Sequence, residues 1–355
     1  MKKSMSPRKW IVLVISFVLI ALLIMSMLMY VVDPFFQFRV RDNTYMLNPQ
    51  YVNGGLIKNY EYDTLMIGSS MTQNFDMDIM RKELNVSPLH VSLGGMSALE
   101  MRELLNLANQ VGKANTYYIG IDLWIMMQEA DPSNNVSYLI TQEKSALPQY
   151  FVSHEAWFYS LPISTAMLMV KQLGINLPSS VDEKASIDNL GNWESKYTCS
   201  EDIVLDHYIN GNFAVSEINL THAYEIAKNN IDDLFLTLEN YPGDVTFFFP
   251  PYSGLFWHSK ESSVDTILAV KEYFIEKAYA CGYTTFDFQG QDFIADLNLY
   301  RDTSHYGGAI NDWMVYRFAD GECIVTPNTL DSFNEDLKRS IAITVDKYGP
   351  RLNGN

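Results

Sequence analysis

Apolar residues dominate one long stretch near the N-terminus of this 355-residue chain. Residues 10–32 contain no charged side chain, and a helix of that length would span about 34 Å. This is enough to cross the hydrocarbon core of a bilayer. Trp10 and Tyr30 lie near its two ends, as aromatic residues do at membrane interfaces. The stretch therefore predicts a transmembrane helix.

Flanking charges indicate how this helix would be oriented. The nine residues before it carry four basic and no acidic side chains, and basic flanks stay in the cytoplasm. A cleaved signal peptide is the alternative, but its apolar region is usually about 7–15 residues and ends in small residues. We expect residues 1–9 to be a cytoplasmic tail and residues 10–32 an uncleaved anchor in the cell membrane. The rest of the chain would then be extracytoplasmic.

Beyond the anchor, a lead-in at residues 33–60 contains Pro34, Pro49 and the pair Gly54-Gly55. Short apolar runs then alternate with helical patterns. Strands are predicted at residues 62–68, 89–93, 116–121, 244–249 and 284–288. Helices are predicted at residues 76–84, 97–111, 163–173, 216–238 and 263–280.

This alternation is typical of a mainly parallel sheet with helices on both faces. We therefore predict a five-stranded, three-layer α/β/α domain over residues 61–355. An irregular, aromatic-rich insertion is expected at about residues 125–215.

The charge balance excludes one class of partner. The chain has 25 basic and 42 acidic residues, and without the four basic residues of the tail its net charge is −21. So acidic a domain repels a phosphate backbone, and we expect no nucleic-acid binding. The three cysteines show no zinc or disulfide pattern, so at most one bridge is expected, and small buried apolar residues are the alternative.

Two short motifs indicate chemistry. Ser70 follows the first predicted strand in a Gly-Ser-Ser sequence, and Asp302 precedes His305 by three residues near the other end of the domain. Ligands of parallel sheets bind beyond the carboxyl ends of the strands. A serine needs a base, and the base needs an orienting group, before it can act as a nucleophile. Each motif alone is also common in turns, helix caps and loops.

Taken together, the motifs resemble the SGNH (GDSL-like) hydrolase superfamily. The matching pieces are Gly-Ser-Ser ending at Ser70, the Gly94-Gly95 turn after the second strand, and Asp-Thr-Ser-His ending at His305. The chain is most similar to the membrane-anchored envelope branch, which includes the teichoic acid D-alanine transfer protein and alginate O-acetylation proteins. The resemblance covers residues 62–313 except the insertion, and it implies a flavodoxin-like fold.

The resemblance also implies roles for these residues. Ser70 would be the nucleophile, His305 the base and Asp302 its orienting partner. The backbone N–H groups of Ser70 and Gly95 would form part of an oxyanion hole, although Gly95 would serve equally well in a plain turn before a helix.

One position departs from the family pattern. The family has an oxyanion-binding asparagine after the third strand, where this chain has Asp122. An ionised aspartate cannot donate a hydrogen bond. Asp122 is protonated, binds something else, or is replaced as a donor by another residue such as Asn74. Capping of the next helix, or pairing with a basic residue, is the purely structural alternative.

Three further residues are candidates for the rim of the site. Tyr252 and Ser253 follow the fourth strand, where a rigid loop is the alternative, and Arg301 could bind an anionic group or form an exposed ion pair. The other histidines have no metal-ligand spacing and are interpreted as surface or core residues.

The sequence thus favours an acyltransferase or esterase acting on O-acyl groups, such as acetyl or D-alanyl, of cell-envelope glycans or teichoic acids. A non-catalytic partner that binds a glycan or a membrane-bound acyltransferase is the alternative. No metal or other cofactor is expected, because no cluster of metal ligands is visible.

Overall fold

We describe a computed structural model of the chain, which covers residues 6–40, 44–45, 49–129, 136–175, 186–187, 198–210 and 220–352. The strands of the main sheet are β1 (Thr64–Gly68), β2 (Pro88–Ser92), β3 (Thr116–Gly120), β4 (Asp244–Phe249) and β5 (Thr284–Asp287). A separate two-stranded ladder pairs Thr44–Tyr45 with Ser186–Ile187 in antiparallel fashion.

The α-helices are α1 (Pro7–Val32), α2 (Pro49–Asn59), α3 (Met77–Leu84), α4 (Ala98–Val111), α5 (Leu123–Met126), α6 (Leu147–Phe151), α7 (Leu161–Gln172), α8 (Glu201–Asn210), α9 (Leu220–Leu238), α10 (Gly254–Ser259), α11 (Val264–Ala280), α12 (Gly308–Asp320) and α13 (Leu330–Leu352). A π-helix at Ala156–Ser160 runs directly into α7. Short 3₁₀ turns occur at Ser70–Thr72, Ser137–Leu139, Lys144–Ala146, Glu261–Ser263, Asp292–Ala295 and Leu297–Leu299.

The main sheet is entirely parallel and has the strand order β2-β1-β3-β4-β5. All five predicted strands are confirmed within two residues at each end. This order is that of flavodoxin-like folds, in which ligands bind beyond the carboxyl ends of β1 and β3, where the chain reverses its direction across the sheet. The residues that follow these two strands are therefore placed side by side.

Helices cover both faces of the sheet, which confirms the predicted α/β fold. Side chains alternate between the faces along a strand, and β4 shows this directly. The Phe247 ring packs edge-on against Phe274 of α11, with ring centres 4.9 Å apart. The neighbouring Phe248 packs on Phe318 of α12, on the other face, at 5.3 Å. The aromatic run in β4 is thus buried from both sides.

The N-terminal helix α1 is long and apolar enough to cross a membrane. It ends at Asp33, a fully buried residue in the left-handed region (φ 46°). The Asp33 carboxylate accepts hydrogen bonds from the backbone N–H groups of Gln37 and Phe38, at 2.8 and 2.9 Å, and from the Tyr150 hydroxyl at 3.1 Å. These bonds join the helix firmly to the domain that follows.

The lead-in is more regular than its prolines and glycines suggest, because residues 49–59 form the helix α2. A Cβ atom on Gly54 or Gly55 would collide with the backbone carbonyl of Leu139 or Phe35, respectively. The glycines therefore permit close packing of the helix instead of interrupting it. The sequence patterns also do not predict α5, α6, α8, α10, α12 and α13. The start of the predicted helix 216–238 falls partly outside the described residues, and the helix is observed from Leu220.

His90, in the middle of β2, is a buried core residue. Burial lowers the pKa of its imidazole to about 4, and the nearby Thr72 backbone opposes this shift only in part. The ordinary pKa of histidine is about 6.5. The unfolded chain therefore binds the proton more readily than the folded chain, and stability is lost as the pH falls from about 6.5 to about 4.

We expect the free energy of unfolding to fall by an amount on the order of 2 kcal/mol between pH 8 and pH 5 because of this one group. His90→Leu should remove that part of the pH dependence, whereas the exposed His154→Leu should retain it. Urea unfolding followed by circular dichroism in detergent measures both. An unchanged pH dependence in His90→Leu would contradict the assignment.

Candidate active site

Ser70 is presented by a tight turn at the end of β1. The strand ends at Gly68, and the chain folds at once into the 3₁₀ turn Ser70–Thr72. The Thr72 methyl group occupies the space that a Cβ atom would need on Gly68 and on Gly120, the last residue of β3. The turn can fold back over the strand ends because both positions are glycine. Ser70 remains partly exposed there.

Asp302 and His305 lie on one short loop before α12. A carboxylate oxygen of Asp302 accepts hydrogen bonds from the backbone N–H groups of Ser304 and His305, both at 2.8 Å. The Arg301 N–H donates to the His305 carbonyl at 2.8 Å, which closes the loop. Asp302 thus shapes the loop that carries the histidine.

The structure brings Ser70, His305 and Asp302 into one hydrogen-bonded row. His305 Nε2 lies 2.9 Å from Ser70 Oγ, and His305 Nδ1 lies 2.8 Å from Asp302 Oδ2. An ionised carboxylate only accepts, so Nδ1 carries the proton and Nε2 accepts from the Ser70 hydroxyl. The separations lie within the range needed for proton transfer between nucleophile and base.

The charge of Asp302 is maintained by its partners. Burial alone would raise the pKa of Asp302, but hydrogen bonds and charge from His305, together with two backbone N–H groups, lower the pKa below its ordinary value. The carboxylate therefore stays ionised at neutral pH.

Two buried contacts hold the histidine loop in place. The Ser253 hydroxyl donates to the Thr303 carbonyl at 2.6 Å, and the Tyr306 hydroxyl donates to the Met71 carbonyl at 2.7 Å. The second contact joins the residue after His305 to the residue after Ser70. The loop and the serine turn are therefore held together by more than the hydrogen bond between His305 and Ser70.

Gly95 lies in the loop after β2, next to the end of β1. Its φ of 68° is in the left-handed region, which only glycine adopts readily. The Leu93 N–H donates to the Gly68 carbonyl at 3.1 Å. This bond fixes the glycine loop beside the strand that leads to Ser70. Gly95 itself is exposed, and a Cβ atom there would meet nothing within 4 Å.

Asp122, after β3, caps the short helix α5. Its Oδ1 atom accepts from the Trp124 and Ile125 N–H groups at 3.1 and 3.2 Å, and the Tyr252 hydroxyl donates to the same carboxylate. Burial raises the pKa of Asp122, while these hydrogen bonds and the nearby His305 charge oppose the rise. Asp122 thus lies close to the triad as a hydrogen-bond acceptor.

The other candidates divide between buried and exposed positions. Tyr252 and Ser253 are buried beneath the site instead of lining its rim, because Ser253 also caps α10. The rigid-loop alternative therefore describes Ser253 better. Arg301 is exposed at the edge of the histidine loop. The Asn74 carbonyl lies near the first residue of α12, Gly308.

A cleft of about 440 Å³ lies against the histidine loop. The lining residues are Asp206, His207, Asn210, Asp302, Thr303, Ser304 and His305. The first three belong to the end of α8, which sequence analysis placed in the irregular insertion. Only Val204 and Leu205 of this helix are buried, so its sequence carries too weak an apolar pattern to predict it.

No protein-family model and no curated protein matches this chain. The roles of the site residues therefore have to be argued from their geometry. Within the described ranges, no group of three or more His, Cys, Asp or Glu side chains is arranged to hold a metal ion. Cys199, Cys281 and Cys323 form no disulfide with one another, and Cys199 lies beside Gly307 near the histidine loop.

The two adjacent glycines of the β2 loop allow a matched test of the turn. We expect Gly95→Ala to lower the free energy of unfolding by about 1 kcal/mol, because a Cβ atom disfavours the left-handed conformation. Gly94 has no positive φ and its nearest non-local atom is 3.7 Å from an added Cβ. Gly94→Ala should therefore change stability less. Equal losses, measured by urea unfolding, would contradict this reading of the loop.

Proposed function

We propose that this chain is a serine-dependent acyltransferase or esterase of the SGNH type. The observation that carries the proposal is the 2.9 Å contact between Ser70 Oγ and His305 Nε2, with Asp302 on the far side of the imidazole. The same spatial arrangement, in which a nucleophile contacts a base and the base contacts an orienting carboxylate, recurs on unrelated folds that transfer acyl groups. The substrate class we infer is O-acylated cell-envelope glycan or teichoic acid.

The first half of the reaction forms an acyl-enzyme. Ser70 Oγ attacks the acyl carbonyl carbon while His305 Nε2 accepts the hydroxyl proton. The resulting tetrahedral intermediate carries a negative oxygen. When it collapses, the bond to the alcohol oxygen breaks and His305 returns the proton to that oxygen. Ser70 is left as an ester of the acyl group.

The second half differs between transfer and hydrolysis only in the nucleophile. A sugar hydroxyl or a water molecule loses its proton to His305 Nε2 and attacks the Ser70 ester. The same imidazole then protonates Ser70 Oγ as the acyl group leaves. Asp302 stabilises the imidazolium in both halves and stays ionised throughout.

Donors for the oxyanion are the least conventional part of the proposed site. The backbone N–H groups of Ser70 and Gly95 are the donors we infer, and such a donor is worth about 3–4 kcal/mol in the transition state. Asp122 accepts three hydrogen bonds, so as a carboxylate it adds no donor. We infer that backbone N–H groups, and not the Asp122 side chain, stabilise the oxyanion.

A polymer of the cell envelope fits the anchor. Helix α1 is suited to a bilayer, and the basic residues before it favour a cytoplasmic N-terminus. The catalytic domain would then face the envelope. The partly exposed triad beside an open cleft is consistent with a large acyl acceptor or donor, because a chain could lie across it without entering an enclosed pocket.

Ser70→Ala should abolish acyl turnover and labelling by a serine-directed fluorophosphonate, because it removes the hydroxyl that lies within reach of His305 Nε2. Ser69→Ala should remain labelled, though more slowly, since the Ser69 hydroxyl accepts a hydrogen bond from the Met71 N–H and supports the turn. Mass spectrometry of the labelled peptide in both variants distinguishes the two adjacent hydroxyls. Full turnover by Ser70→Ala would refute the proposal.

Asp302→Asn should reduce kcat by about 10³- to 10⁴-fold, because the amide favours the wrong imidazole tautomer. The control is Asp78→Asn, which removes an exposed carboxylate paired with Arg81 on α3 and should leave kcat nearly unchanged. Hydrolysis of an activated acetyl ester measures both. Comparable rates for the two variants would show that Asp302 has no part in the reaction.

A non-catalytic partner is the second candidate, and Asp122 is the observation that favours it. A carboxylate in place of an amide donor weakens the oxyanion site, as expected where glycan or acyltransferase binding is retained without chemistry. This alternative predicts no fluorophosphonate label on folded protein and glycan binding that is unaffected by Ser70→Ala. The labelling experiment therefore separates the two functions.

A further inference from the structure

A second apolar segment lies beside the anchor helix. The π-helix Ala156–Ser160 continues into α7, and together these 17 residues are about 25 Å long. No charged residue occurs between Glu155 and Lys171. The segment begins with Ala-Trp-Phe-Tyr, an aromatic cluster of the kind found at membrane interfaces.

The polarity of this segment is reversed relative to a helix in water. Of its four buried residues, Ala156, Ser160 and Ser164 are small and lie four positions apart, and the fourth is Leu161. Several of its large apolar side chains, by contrast, are exposed. Phe158, Met169 and Leu173 are 71%, 58% and 73% exposed. Small residues facing protein and large apolar residues facing outward are the pattern of helices packed within lipid.

The segment also packs on the part of the chain that is suited to a bilayer. Both α6 and α7 contact α1. The shielded face of α1 contains Ala21, Met25, Ser26, Met29 and Val32, whereas the residues between them are exposed. From the first to the last of these residues the helix rises about 16 Å, which is roughly half of the hydrocarbon thickness of a bilayer.

The contact between α1 and the segment that includes α6 and α7 begins at the end of α1 nearest the domain. Tyr150, in α6, donates its hydroxyl to Asp33 directly after the anchor. The shielded face therefore extends from the domain into the half of the anchor nearest the domain.

We propose that the segment Ala156–Val170 is embedded in the membrane leaflet next to the domain, packed on α1, with lipid acyl chains covering Phe158, Ile163 and Met169. The chain would then be held by one spanning helix and one half-inserted helix. This inference goes beyond the proposed function and does not depend on Ser70 chemistry. Its basis is the reversed polarity together with continuity to the anchor.

The test uses the full-length chain in phosphatidylcholine vesicles that contain no other protein. Cys199, Cys281 and Cys323 are replaced by serine, and a single cysteine is introduced at Ile163 or Met169 and labelled with the polarity-sensitive fluorophore NBD. Matched controls are Leu236 and Tyr279, which are similarly exposed on α9 and α11. We expect blue-shifted emission and strong quenching by acyl-chain nitroxide lipids at Ile163 and Met169, and neither at the controls.

A second measurement uses the unmodified chain, so that it does not depend on the folding of variants. A diazirine carried in the middle of a lipid acyl chain should label peptides from α1 and from residues 156–170, and should leave residues 220–238 unlabelled. The proposal would be overturned if diazirine labelling were confined to α1 and if NBD at positions 163 and 169 showed the same emission and quenching as at the controls. That outcome would indicate that a protein, and not lipid, covers this surface.

Discussion

The hydrogen bond between the Ser70 hydroxyl and the His305 imidazole is the contact on which the proposed chemistry depends. It joins residues 235 positions apart, so local structure cannot produce it. The parallel sheet contributes by placing the carboxyl end of β1, which leads into Ser70, and that of β5, which precedes the histidine loop, along one edge. The histidine loop is then brought over this edge by contacts that have no chemical role of their own.

Those supporting contacts explain why the site can be partly open and still ordered. Ser253, buried beneath the loop, binds the Thr303 carbonyl, and Tyr306 binds the Met71 carbonyl. Each neutral hydrogen bond of this type contributes about 1 kcal/mol. Their more important effect is geometric, because a nucleophile and base must be held within a fraction of an ångström of the productive separation.

The predictable parts of the molecule are those with a strong local signal. The five strands were predicted because buried parallel strands are continuous apolar runs. The order of the motifs and their position after a strand end predicted that Ser70 would lie near Asp302 and His305, and the contacts agree. Helix α8 and the burial of Tyr252 and Ser253 were not predicted, because both arise from tertiary packing. Helix α2 was not predicted because it contains Gly54 and Gly55. These glycines allow the helix to pack closely against neighbouring backbone.

The buried carboxylate of Asp33 has a consequence for how far the domain can reach. Its hydrogen bonds to Gln37, Phe38 and Tyr150 restrain the angle between α1 and the domain. A flexible linker would allow a domain to take many orientations around its anchor. A restrained junction keeps the cleft at a constant distance and angle from the end of α1. The polymer substrate proposed above would therefore have to reach the cleft at that fixed distance from the membrane, and the length of the junction would determine which part of the polymer meets the site.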